Sequence, residues 1–169
     1  MFDKNGVAPS ELANLTGLTR GAISKLADRM MAKGVVMNAE FGCVAERCTA
    51  DSDASRMSFP QVVGKLMDAG VERYHADLIC SEKTYFLPTG ESRVIPNEDI
   101  RRAPAAEFAA PSVEAAVKAI QKGEIDYRTF CERVLDAGCV GYHIYIAGRR
   151  VIYYGRTGDS HTEYFSGGK

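Results

Sequence analysis

The sequence predicts an α+β protein in which a short helix-turn-helix segment precedes an internally duplicated domain of helices and antiparallel strands. Three observations lead to this prediction. Residues 8–34 have the caps, turn and apolar spacing of a helix pair, and residues 59–95 align without a gap on residues 127–163. Within both aligned copies, apolar residues change from helical spacing to the alternation that is typical of strands.

The composition is that of a chain able to bury a core, because 46% of its 169 residues are hydrophobic and 25% are charged. The formal net charge of −1 gives no overall attraction to nucleic acid, so any DNA contact requires a local basic patch. The chain has no apolar run of about 18 residues and no signal peptide, which favours a cytoplasmic protein without a membrane partner. The five cysteines lack the spacing of zinc ligands, so we expect reduced thiols and no metal.

Two helices joined by a tight turn are predicted between residues 8 and 34. Pro9 and Ser10 suit a first helical turn, and the second helix ends before Gly34. The polar face of the second helix carries side chains that suit a major groove and its flanking phosphates: Thr19, Arg20, Ser24, Lys25 and Arg29. This pattern predicts contact with double-stranded DNA.

The stretch LANLTGLTRGAISKLADRMMAKG resembles the helix-turn-helix of the MarR family of transcription regulators. The resemblance implies that Thr19, Arg20, Ser24 and Lys25 lie on the recognition helix. Two helices joined by a turn also occur in proteins that never meet DNA, so a segment without DNA function is the alternative.

Domain boundaries follow from a change in composition. The polar stretch TADSDASR, residues 49–56, is typical of a linker, and a new apolar pattern begins at Met57. We therefore expect a helix-turn-helix segment over 1–48, a linker over 49–56 and a duplicated domain over 57–169 that folds without the first part.

Nine of the 37 aligned positions in the two copies are identical, where about 6% chance identity would give about two. DAGVERYH at 68–75 matches DAGCVGYH at 136–143. Each copy predicts a helix that ends at a left-handed glycine, Gly70 or Gly138, followed by three strands. The predicted strands are 71–79, 83–87 and 92–95 in the first copy and 139–147, 150–155 and 161–165 in the second. A further helix over 112–122 has no counterpart before the first copy.

A candidate ligand groove follows from the strand alternation. Tyr74 and Tyr142 are predicted to face the core, so His75 and His143 point the other way, and pseudo-twofold symmetry would bring them together. The groove is expected to contain these side chains: His75, His143, Arg73, Asp77 and Tyr145. The histidines could bind a ligand or a metal, or act as acid and base; half-exposed histidines without a function are the alternative.

No spacing in the chain fixes a catalytic residue, a metal site or a cofactor, so no enzyme activity is assigned. The aromatic residues near the C-terminus (Tyr153, Tyr154, Tyr164 and Phe165) are interpreted as core residues rather than base-stacking ones.

Residues 57–169 resemble the YbcV-like bacterial family of unknown function, some members of which are labelled phage envelope proteins. The stretches DAGVERYHADL and GYHIYIAGRRVIYYG carry this resemblance. The leading functional prediction is a regulator-like fusion, in which the helix-turn-helix contacts DNA and the duplicated domain binds a ligand or forms a homodimer. The alternative is a small phage-associated or stress-associated binding protein whose first residues contribute no function, and an enzyme that uses His75 and His143 is the third.

Overall fold

The chain between residues 41 and 165 folds into four helices and six strands. The computed structural model describes residues 41–98 and 100–165, within a unit that begins at Phe41. The predicted DNA-binding residues (Thr19, Arg20, Ser24, Lys25 and Arg29) lie outside the described residues. The helices are α1 (41–53), α2 (Phe59–Asp68), α3 (Ala110–Gln121) and α4 (Tyr127–Asp136). The strands are β1 (Arg73–Asp77), β2 (Glu82–Phe86), β3 (Ser92–Pro96), β4 (Cys139–Tyr145), β5 (Arg150–Gly155) and β6 (Ser160–Tyr164).

The six strands form one antiparallel sheet in the order β3-β2-β1-β4-β5-β6. Strands β1 and β4 pair at its centre, so the halves of the chain meet there. One face of the sheet, the helix face, is buried together with apolar residues of all four helices. The opposite face, the open face, carries the alternate side chains of each strand. The predicted α+β class is confirmed.

The polar stretch predicted as a linker begins inside a helix. Residues 49–53 continue α1, which buries Phe41, Ala45, Cys48 and Thr49 in the core. These residues recur at helical spacing, but three of them are small or weakly apolar, and polar side chains (Glu46, Arg47, Asp51, Ser52 and Asp53) make up much of the rest of α1. The linker prediction is therefore wrong for residues 49–53, and α1 belongs to the same unit as the sheet.

Both halves of the unit have the same order of elements, two helices followed by three strands. If the alignment of residues 59–95 with 127–163 is extended towards the N-terminus, residues 42–53 of α1 align with α3. The expectation that α3 has no counterpart is therefore wrong. The buried positions also match, with Ala45, Cys48 and Thr49 of α1 opposite Val113, Ala116 and Val117 of α3. Descent of the halves from one ancestral unit stays a prediction.

The ends of the helices follow the sequence closely. The Gln61 side chain accepts a hydrogen bond of 2.9 Å from the backbone N–H of Ser58 at the start of α2, and Asp126 caps α4 by accepting from the Thr129 N–H at 2.7 Å. Gly70 and Gly138 follow α2 and α4 with φ of +77° and +78°. The two predicted left-handed stops are confirmed.

Strands β1 and β4 are shorter than predicted, whereas the other four strands lie within one residue of their predicted bounds. The Asp77 carboxylate accepts from the backbone N–H groups of Ile79 and Cys80, both at 2.8 Å, which closes a turn directly after β1. Ser81 and Arg149 occupy matching positions in the two hairpins and both adopt positive φ, 54° and 50°.

Candidate functional sites on the two faces of the sheet

The two histidines predicted to share a groove are direct cross-strand partners on the open face. His75 of β1 lies opposite His143 of β4. The backbone bonds from Leu78 N to Val140 O and from Ile146 N to Glu72 O mark the hydrogen-bonded pairs of this ladder. His75 and His143 fall between them, at a non-hydrogen-bonded pair, where side chains approach most closely. Their rings stack with centroids 4.4 Å apart and planes inclined by 20°.

Tyr154 of β5 completes this cluster, although it was predicted to be a core residue. Its hydroxyl lies 2.6 Å from Nε2 of His75, and its ring centroid is 5.6 Å from that of His143. Gly141 makes room for the tyrosine, because a Cβ atom there would lie 2.5 Å from the Tyr154 hydroxyl. A glycine opposite an aromatic residue on the next strand is the signal in the sequence that could have indicated this contact.

The other predicted groove residues have different neighbours. Tyr145 lies beside the pair, with its ring centroid 6.1 Å from that of His143. Arg73 is the cross-strand partner of Tyr145, and its guanidinium lies over the ring of Phe86 at 3.8 Å. Asp77 caps the turn after β1. Thus the structure brings Tyr145 next to the imidazole pair, whereas Arg73 and Asp77 make contacts that stabilise the sheet and its turn.

The open-face cluster is uncharged at neutral pH. Partial burial lowers the pKa of His75, and the nearby Asp77 and Glu82 only partly oppose this effect. Burial lowers the pKa of His143 too, and the neighbouring His75 and Arg73 lower it further. Burial raises the pKa of the Tyr154 hydroxyl to about 12, so this group keeps its proton.

Conventional metal-ligand clusters are absent from the described part of the chain. No group of three or more histidine, cysteine, aspartate or glutamate side chains in residues 41–98 and 100–165 is arranged to hold a metal ion. All five cysteines are free thiols.

The helix face has a second candidate site, a cavity of about 920 Å³ between the two helix pairs and the sheet. Four buried tyrosines line it from the sheet side: Tyr74, Tyr85, Tyr142 and Tyr153. They form two cross-strand pairs, Tyr74 with Tyr85 and Tyr142 with Tyr153. Periodicity indicated that these positions face inward, but it gave no sign that the helices stand apart above them.

Two of these tyrosines have hydrogen-bonded hydroxyl groups and two have no such bond within the described part of the chain. Tyr85 shares a hydrogen bond of 2.8 Å with the Thr49 hydroxyl, and Tyr142 shares one of 2.8 Å with the Tyr127 hydroxyl. The hydroxyls of Tyr74 and Tyr153 have no hydrogen-bond partner among the described residues. Burial raises the pKa of both phenols, so each keeps its proton and can donate to a ligand.

Lys83 brings a positive charge to the cavity wall. Its side chain is only 3% exposed, and its ammonium lies 3.1 Å from a carboxylate oxygen of Asp53 and 4.5 Å from the centre of the Tyr127 ring. Burial lowers the pKa of Lys83, and Asp53 opposes this shift. The carboxylate of Asp53 therefore balances the charge of Lys83 at this part of the wall.

The mouth of the cavity lies where its lining side chains reach solvent. Phe59 at the start of α2, Met67 near its end and Tyr164 of β6 line the cavity and are exposed. The rings of Phe59 and Phe165 meet edge to face at 5.5 Å, which joins α2 to the end of the sheet beside this opening.

A family model described as "Protein of unknown function (DUF1398)" matches residues 50–163. The chain belongs to the DUF1398 family. The matched region contains the open-face cluster and most of the cavity lining, and it begins after the residues predicted to form a helix-turn-helix. A search of curated proteins finds no match to the chain. In the part of the chain that the structure describes, no helix has the length and apolar character needed to cross a bilayer.

Proposed function

We propose that residues 41–165 form a small-molecule-binding module whose ligand occupies the cavity on the helix face. The single observation that carries this proposal is the cavity itself, with its volume of about 920 Å³ and its aromatic lining. Ligand pockets in proteins typically measure about 300–1,000 Å³ and combine an apolar lining with a few polar groups. A space of this size beside a sheet in a small domain otherwise costs packing energy, and a bound ligand offsets that cost.

The chemistry of the lining favours a neutral, largely aromatic ligand with one hydrogen-bonding group. Tyrosine and phenylalanine rings provide stacking surfaces. The hydroxyls of Tyr74 and Tyr153 suit a carbonyl or hydroxyl group on the ligand, since burying them without a partner costs free energy. A carboxylate would gain little from Lys83, because this ammonium is already paired with Asp53.

Binding of a neutral aromatic fluorophore, N-phenyl-1-naphthylamine, to the full chain tests the proposal. Gly64 of α2 lines the cavity, and a Cβ atom there would meet nothing within 4 Å. We expect Gly64→Trp to fill part of the space and weaken fluorophore binding at least about tenfold, which is about 1.4 kcal/mol. The matched control Gly64→Ala should bind as the parent does. Equal binding by the parent and Gly64→Trp, or none by either, would contradict the proposal.

We also propose that the complete chain is a DNA-binding regulator in which the cavity module is joined to the helix-turn-helix segment. The support comes from the sequence, which has four basic residues and one acidic residue between Gly17 and Gly34. The homodimer that such regulators use on two half-sites is part of this proposal.

Fluorescence anisotropy of labelled duplex DNA at several salt concentrations tests this second function. We expect the full chain to bind with an affinity that falls as salt rises, and Arg20→Ala with Lys25→Ala to reduce both the affinity and the salt dependence. A matched control, Lys65→Ala with Lys122→Ala, removes two charges from the cavity module and should change little. Negligible binding by the parent chain would favour the alternative, a phage-associated or stress-associated binding protein.

A further inference from the structure

We propose that His75 and His143 form a two-imidazole binding site for a divalent transition-metal ion such as Ni²⁺ or Cu²⁺. The site lies on the open face of the sheet, so it is independent of the cavity and of its proposed ligand. Imidazole nitrogen is a preferred ligand of these ions, and affinity for such sites rises from Co²⁺ to Ni²⁺ to Cu²⁺.

The cross-strand register brings the two ligands together without any rearrangement of the backbone. A non-hydrogen-bonded pair in the middle of a sheet fixes both Cβ atoms at close range, and the rings already lie 4.4 Å apart. Nitrogens bound to one ion at about 2.0–2.1 Å lie roughly 3 Å from each other. Imidazole lone pairs lie in the plane of the ring, so binding of one ion requires both rings to leave the stacked arrangement and turn their edges towards it.

Both imidazoles have nitrogens available for coordination. Nε2 of His75 is hydrogen-bonded to Tyr154. Its Nδ1 and both ring nitrogens of His143 have no hydrogen-bond partner among the described residues. The two side chains are half-buried, so an ion can reach them from solvent.

The surroundings of the pair determine what kind of site this is. Asp77 and Glu82 attract a cation towards His75, whereas Arg73 lies on the side of His143. With two protein nitrogens, water completes the coordination shell. We therefore infer an exchangeable site and not a structural one.

Isothermal calorimetry with Ni²⁺ on the untagged, chelator-stripped full chain tests the proposal, since Ni²⁺ does not oxidise the free thiols. We expect one bound ion per chain, and at least about tenfold weaker binding by His75→Asn and by His143→Asn. The third histidine provides the matched control, so His161→Asn should bind as the parent does. Binding that is unchanged in His75→Asn and His143→Asn, or no binding by the parent, would overturn the proposal.

A second measurement does not depend on how the variants fold. In proton NMR spectra of the parent chain, substoichiometric paramagnetic Ni²⁺ should broaden the ring resonances of His75 and His143 and leave those of His161 sharp. Broadening of His161 alone, or of no histidine, would contradict the site.

Discussion

At the residue scale, the open face shows how a cross-strand neighbour decides what a side chain does. Residue 73 in the first half of the unit matches residue 141 in the second, and Phe86 matches Tyr154. Where Arg73 stands, its guanidinium covers Phe86. Where Gly141 stands, the Tyr154 ring fills the free space and its hydroxyl reaches His75. Because Gly141 has no side chain, Tyr154 can lie beside His75 and His143 as the third member of the cluster.

The depressed pKa values of the imidazole pair predict a loss of stability in mild acid. Both histidines bind protons more weakly in the folded chain than in the unfolded chain, where the pKa is about 6.5. Stability is therefore complete above about pH 6.5 and falls as the pH decreases below it. Urea denaturation in the presence of chelator should show a smaller decrease between pH 7 and pH 5 for the double variant His75→Asn with His143→Asn than for the parent. An identical pH dependence in both would contradict this assignment.

The buried ion pair between Asp53 and Lys83 leads to a second prediction about the free energy of unfolding. Asp53→Asn leaves the ammonium of Lys83 buried without its partner, and we expect a loss of about 3 kcal/mol of unfolding free energy at pH 7. Because burial lowers the pKa of Lys83 below its unfolded value of 10.5, the penalty decreases as the pH rises towards 10. Asp51→Asn, which removes the exposed pair with Arg56, should cost less than about 1 kcal/mol. Chemical denaturation at pH 7 and pH 10 measures both, and equal losses in the two variants would show that Lys83 does not need Asp53.

At the element scale, the ends of α2 and α4 form an internal comparison. Gly70 and Gly138 have nearly the same positive φ, but their surroundings differ. A Cβ atom at Gly70 meets nothing within 4 Å, whereas one at Gly138 would lie 2.1 Å from the backbone oxygen of Glu107. The segment that connects the two halves passes close to the end of α4, whereas no described residue comes within 4 Å of the Cβ position at the end of α2.

This difference predicts unequal costs for the same substitution. Gly70→Ala should destabilise the fold by about 1–2 kcal/mol, the cost of a left-handed alanine. Gly138→Ala should destabilise the fold by about 1–3 kcal/mol more than this, because the backbone at Glu107 must also move. Urea denaturation of both variants measures the difference. Similar losses of unfolding free energy in the two variants would contradict this prediction, because they would mean that the backbone around Glu107 moves at little cost.

At the scale of the whole molecule, α1 changes where an independent fragment should begin. The sequence predicted a self-sufficient domain from Met57. A fragment of residues 57–169 lacks the buried residues of α1 and the Asp53 partner of Lys83. We expect residues 41–169 to melt cooperatively and residues 57–169 to lose that cooperative transition, as calorimetry would reveal. Cooperative melting of residues 57–169 with unchanged stability would show that α1 is dispensable.

Much of the fold could be predicted because its signals are local. Caps and apolar spacing marked α2 and α4, alternation marked the strands, and a repeated YH pair indicated which strand faces match. Helix α1 was not predicted, because alanine, cysteine and threonine make up most of its buried stripe and such residues carry a weak helical signal. The C-terminal end of β1 was placed too late, since the backbone N–H groups that the Asp77 carboxylate accepts from belong to a turn that competes with the ladder.

The sequence by itself determined the α+β class, the glycine stops of the helices and the outward direction of His75 and His143, because each depends on neighbours within a few residues. Only the tertiary structure decided that these histidines stack, that Tyr154 joins them and that the helices leave a cavity over four tyrosines. Those features depend on the register between distant strands and on the distance at which helices pack, and both are set by the packing of the whole unit.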